Sequence, residues 1–130
     1  MARINCFEDL EIWQLARTLC QIVRKFTLKP AFSKDFKFSS QINSAAGSIM
    51  DNIAEGFERD GNREFIQFLY IAKASNGEVR SQSYRALDAG FITEPEQSEV
   101  LKITDSLKFK IKTLITILKN SDGKGYKNKQ

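Results

Sequence analysis

The chain has 130 residues, 42% of them hydrophobic and 28% charged, with a net charge of +4 and a pI near 9.1. That balance suits one globular domain with a buried core and argues against a disordered chain. No apolar run approaches the ~18 residues that a membrane-crossing helix needs, residues 1–6 lack the apolar stretch of a signal peptide, and a cytoplasmic location is expected.

The first predicted helix covers residues 7–27. Asn5 and Glu8 have the spacing of a capping box, and Glu8, Asp9 and Glu11 suit a positive helix start. Ile12, Leu15, Leu19, Ile22, Val23 and Phe26 recur at the 3–4 spacing of one apolar face. Residues 28–38 read as a loop whose phenylalanines, Phe32, Phe36 and Phe38, fold back over one end of the core.

A second helix is expected over 39–57, with Ile42, Ala45, Ala46, Ile49 and Ile53 forming a narrow face that permits close helix approach and Gly56 near its end. After a polar connection, Asn62 is the expected N-cap of a third helix over 63–89, and Gly90 its left-handed stop. The core face of this helix reads Phe65, Phe68, Leu69, Ala72, Val79, Ala86 and Leu87. Thr93, Pro95 and Glu96 then supply an N-cap, a first-turn proline and a capping-box carboxylate. The fourth helix follows, with Val100, Ile103, Thr104, Leu107, Ile111, Leu114 and Leu118 as its seam. The expected architecture is an all-α antiparallel up-down-up-down four-helix bundle over residues 1–120, with a basic disordered tail at 121–130.

Two outward features of the third helix suggest contacts. Ile66, Tyr70, Ala74, Gly77 and Tyr84 form a second arc away from the core, which reads as a subunit interface. Polar residues line facing flanks of two helices: Gln41, Ser48, Asn52 and Glu55 on one, Glu64, Ser75, Glu78 and Gln82 on the other. They are expected to form a polar structural seam.

Charge is placed unevenly. From Leu101 onward eight lysines face Asp105 and Asp122, so this stretch carries +6 and the rest of the chain −2. Lys108, Lys112 and Lys119 form a stripe on the fourth helix, and Lys73, Arg80 and Arg85 add charge on the third. A stripe of this kind can track phosphates, so these six residues are the candidate nucleic-acid contacts. No aromatic alternates visibly with the lysines as a stacking platform.

Catalysis has little to stand on. The chain has no histidine and two cysteines, Cys6 and Cys20. Zinc ligation, Ser-His and Cys-His nucleophiles and the usual base near neutral pH are therefore missing. Glu55, Glu64 and Glu78 as a carboxylate metal site lack the histidines of di-iron bundles. No phosphate loop or dinucleotide fingerprint occurs. No catalytic residue, metal, cofactor or small-molecule substrate is expected, and an acid/base pair of Glu55 and Glu78 is the weakest of the functional readings.

Several strings resemble the 23S rRNA intervening-sequence protein family. They are Phe7-Glu8-Asp9-Leu10-Glu11-Ile12-Trp13, Gln41-Ile42, the run from Ser48 through Asn52-Ile53-Ala54-Glu55-Gly56-Phe57, the run from Glu64 to Ala72, and Leu87 to Ile92. The resemblance implies a small bacterial four-helix bundle, assembled as a homopentamer, with no established enzyme among its members. A related branch, the accessory variability determinant of diversity-generating retroelements, binds a reverse transcriptase and nucleic acid through a basic surface. Where the family usually has two arginines after Gln-Ile, this chain has Asn43 and Ser44, and Met50 replaces a common proline. Any nucleic-acid contact therefore shifts toward the fourth helix. The expected role is a homo-oligomeric adaptor for RNA or a nucleoprotein; the alternative is a structural or protein–protein module with no affinity for nucleic acid.

Overall fold

A computed structural model describes residues 4–121. Among them there is no strand, and no helix is long and apolar enough to cross a membrane. A 3-10 turn at Phe7–Asp9 leads into α1 (Glu11–Thr27), followed by a short α2 (Pro30–Lys34) and then α3 (Phe36–Glu58), α4 (Asn62–Asp88) and α5 (Glu94–Lys119). The expected tail, 121–130, lies outside the described residues except for Ser121.

The first helix starts later than its sequence suggests. Leu10 is extended (φ −74°, ψ 128°) and buried, so its side chain anchors in the core and the backbone breaks between the 3-10 turn and α1. Asn5 and Glu8 therefore do not cap α1, whose first turn has no side-chain cap. Gln14 stitches the break by donating from Nε2 to the Glu8 carbonyl at 2.9 Å, and Phe7 packs against Trp13 with ring centres 5.3 Å apart.

The stretch expected as a loop is largely helical. Pro30 takes the first position of α2, where its missing N–H costs nothing. Asp35 accepts from the Phe38 N–H at 3.2 Å and starts α3 three residues early. Phe32 and Phe38 are buried, and Phe32 stacks on Phe91 with ring centres 4.8 Å apart. Phe36 is a correction: it is 78% exposed, because two residues along a helix turn a side chain about 200° from Phe38.

At the start of α4 the cap is Gly61 (φ +89°), and Asn62 is the first helical residue. The Asn62 amide instead reaches the Leu118 carbonyl and the Ser121 hydroxyl, tying the beginning of α4 to the end of α5. Gly90 (φ +75°) stops α4 as expected: its N–H donates to Leu87 O, and Phe91 N–H reaches back to Ala86 O. The Thr93–Glu96 capping box is formed in both directions.

The four long helices close a ring of contacts: α3 packs on α4, α4 on α5, and α1 on both α3 and α5. Leu19, Val23, Ile49, Ile53, Phe65, Leu69, Val79, Leu107 and Ile111 fill the centre with no exposure. Ala16 and Ile115 also belong to the core, whereas Leu15, Ile22, Phe68, Leu87 and Ile103 sit at its margin. The result is an all-helical bundle.

Candidate functional site

The outer strip of α4 is apolar and open. Tyr70 and Tyr84 are each 48% exposed, and Ala74 and Gly77 lie on the surface between them. A Cβ added at Gly77 would meet nothing within 4 Å. Ile66 departs from the expected strip: it is half-buried and packs against the core. Ile71, which the helical arc left out, is as exposed as the tyrosines.

The six basic residues separate into two groups. Lys108 and Lys112 are exposed, and among the described residues neither forms an ion pair. Lys119 donates from Nζ to the Tyr70 hydroxyl at 2.9 Å and lies 5.4 Å from that ring's centre. Arg80, in contrast, is committed to the fold. Its Nη1 donates to Leu101 O at 2.9 Å and to Thr104 Oγ1 at 3.1 Å, with Asp105 at 3.8 Å. Arg85 lies 4.2 Å over the Phe38 ring, and Lys73 is half-buried. Among the six candidate nucleic-acid contacts, Arg80 is thus tied to α5 by a carbonyl and a hydroxyl and exposed Arg85 rests on a ring, so both also hold the bundle together.

The polar seam is real in part and is not a buried network. Ser48 and Ser75 share a hydrogen bond of 2.9 Å, and Asn52 donates to both Ser48 O and Ser48 Oγ. Gln41, Ser48, Ser75 and Glu78 line one open groove of about 570 Å³ between α3 and α4, together with Phe36, Lys37, Ser40 and Ser44. Glu55 lies outside it, exposed and 3.4 Å from Arg59 one turn on. Glu78 is exposed and accepts from Gln82.

The buried polar network lies elsewhere, between α4 and α5. Asn76 donates to Thr104 O at 2.8 Å, Thr104 also receives Arg80, and Gln97 reaches Ser83 at 3.5 Å. Asn76 Oδ1 and Gln82 Oε1 are buried without a hydrogen-bond partner. The signal for this network was present in the pattern. Asn76 sits between Ala72 and Val79, and Thr104 between Val100 and Leu107, so both hold core positions.

Both thiols are shifted above their ordinary range. Burial pushes the Cys20 thiol up, with Asp51 adding to the effect; Cys6 is raised by its hydrogen bond to Asp9. Among the described residues no three or more His, Cys, Asp or Glu side chains are gathered where they could hold a metal ion.

The fold has a solved relative. A crystal structure of a protein of unknown function from the S23 ribosomal protein family of Bacteroides thetaiotaomicron superposes with a TM-score of 0.72. The two share 21% identity over 80% of this chain and 97% of that one. A comparison with curated proteins finds no match. The model of the 23S rRNA-intervening sequence protein family matches residues 8–113, which includes the strings around Gly56 and Phe65, and the chain belongs to that family.

Proposed function

We propose that the protein is a non-enzymatic adaptor of the bacterial cytoplasm, an antiparallel up-down-up-down bundle that self-associates and binds RNA or a nucleoprotein. The carrying observation is that its exposed aromatic strip and its unpaired lysines share the α4/α5 surface, joined at the Lys119–Tyr70 hydrogen bond. Antiparallel packing is supported by the cross-helix pairs. Tyr70, Asn76, Arg80 and Ser83 meet Lys119, Thr104, Leu101 and Gln97, numbers rising on α4 as they fall on α5.

Tyr70, Ile71 and Tyr84 flank small residues, a shape that another helix can approach closely. Five copies is the number that the family resemblance implies. Lys108, Lys112 and Lys119 are the phosphate contacts of this reading, with Lys73 at their margin. Light scattering on the purified chain tests assembly: a single copy at micromolar concentration overturns it. RNA titrated at rising salt tests the partner. Three phosphate contacts give a slope of log K against log salt near −2 for a single strand, whereas no binding at low salt, or binding indifferent to salt, overturns it.

A protein–protein module without RNA affinity is favoured by one observation. Leu10, Ile12 and Leu114 floor a groove between α1 and α5 whose rim carries exposed Phe109 and Ile117. A partner retained at high salt while RNA is lost decides for this second reading.

A further inference from the structure

Phe109 is 70% exposed on a helix that otherwise turns most of its large apolar residues inward. One shallow surface depression is lined by Lys102, Asp105, Ser106, Lys108, Phe109 and Lys112. Lys102, Asp105, Phe109 and Lys112 recur at intervals of three and four, which is one stripe of a helix, and Lys108 flanks it. At 1.5 Å per residue, Phe109 stands about 10 Å past Lys102 and about 4.5 Å before Lys112.

Among the described residues none of the three lysines has a carboxylate partner. The acid of the stripe, Asp105, is turned toward Arg80 at 3.8 Å. Covering Phe109 with a protein surface would strip water from three unpaired ammonium groups, and lysine is depleted from interface cores for that reason. A partner with flat apolar faces strung on a phosphate chain satisfies the ring and the cations together.

We propose that this face of α5 binds single-stranded RNA, with a base stacked on Phe109 and the flanking phosphates held by Lys102, Lys108 and Lys112. The inference rests on the RNA reading above and adds Lys102 to its phosphate contacts and unpaired bases to its ligand, because a duplex keeps its base faces inside the stack.

The test is fluorescence anisotropy of the full chain with three labelled RNAs of one length: a single strand, its duplex, and a strand with abasic sites. Phe109→Ala is expected to weaken the single strand by about 5- to 100-fold while leaving the duplex and the abasic strand within about twofold, and Phe109→Trp to keep the affinity. Replacing Lys102, Lys108 and Lys112 with glutamine weakens all three RNAs and lowers the salt slope by about 2. Equal losses on the intact and abasic strands, or no loss from Phe109→Ala, overturn the stacking role. A change in assembly mass with RNA affinity intact makes Phe109 a protein contact and also overturns it. If the wild-type chain binds no RNA at low salt, the functional reading itself fails; if it binds RNA but ignores Phe109, only this inference does.

Discussion

Gly56 on α3 lies directly against Phe68 on α4: a methyl at position 56 would stand 2.6 Å from Phe68 Cβ and 3.1 Å from the Phe65 ring. The Cβ of Phe68 is fixed to its backbone, so relief requires the two helices to part. The glycine of the Asn-Ile-Ala-Glu-Gly string is thus a packing residue.

Gly56→Ala is expected to cost about 1–3 kcal/mol, overpacking outweighing the roughly 1 kcal/mol that alanine gains in a helix. At Gly47, on the same helix, a methyl would meet nothing within 4 Å, so Gly47→Ala should stabilise by about 0.5–1 kcal/mol. Urea midpoints of the two variants must move in opposite directions.

Asn76 is 2% exposed and donates to Thr104 O. Asn76→Asp would aim a buried carboxylate at a carbonyl oxygen, with an expected loss of about 3 kcal/mol or more at neutral pH. Burial raises the carboxyl's folded pKa above its unfolded value, so the deficit opens as the pH rises beyond about 4 and closes below it. Asn76→Leu also removes the partnerless Oδ1 and should stay within about 1 kcal/mol of wild type. Denaturation at pH 4 and pH 7 separates the two variants.

Glu96 is held below the ordinary carboxylate range, chiefly by the hydrogen bond from Lys29; burial opposes this, and the Thr93 N–H and hydroxyl add smaller lowering effects. A depressed folded pKa stabilises above the unfolded pKa of about 4.3 and is lost as pH falls through the folded value. Glu96→Gln should therefore be less stable than wild type at pH 7 and equal to it near pH 3. Both side chains of the pair are about a third exposed, so solvent screening keeps the difference under about 1 kcal/mol.

Arg80→Gln should cost about 1 kcal/mol of stability and leave the RNA salt slope unchanged, since its Nη1 is held by Leu101 O and Thr104 Oγ1 on α5. Replacing Lys108 and Lys112 with glutamine should do the reverse, lowering the slope by about 1.4 with little change in stability. Thermal melts and salt titrations on the same samples check both.

Helix periodicity and cap chemistry carried most of the fold into view: Gly90 and the Thr93–Glu96 box stand where their residue types demand. Local signals failed where a distant contact decided the outcome. Leu10 breaks the first helix because its side chain is drawn into the core, and Asn62 abandons capping for the far end of α5. The candidate site was less legible. Charge stripes locate lysines but not their partners, so Arg80 and Arg85 looked as available as Lys108 until α5 and Phe38 were packed on them. Phe109 was legible in the three- and four-residue spacing of Lys102, Asp105, Phe109 and Lys112, but its 70% exposure was settled only by how α5 packs.

The Lys119–Tyr70 hydrogen bond binds two surfaces into one account. A second copy that claims Tyr70 has to draw the ammonium away from it or bury both, and a phosphate that draws Lys119 off frees the tyrosine oxygen for another donor. Such coupling is reciprocal: whatever factor assembly imposes on RNA affinity, RNA imposes on assembly. If the chain both assembles and binds RNA as proposed, the number of copies would be a property of the protein together with its nucleic acid, and an oligomer weighed in the absence of RNA would be one end of an equilibrium.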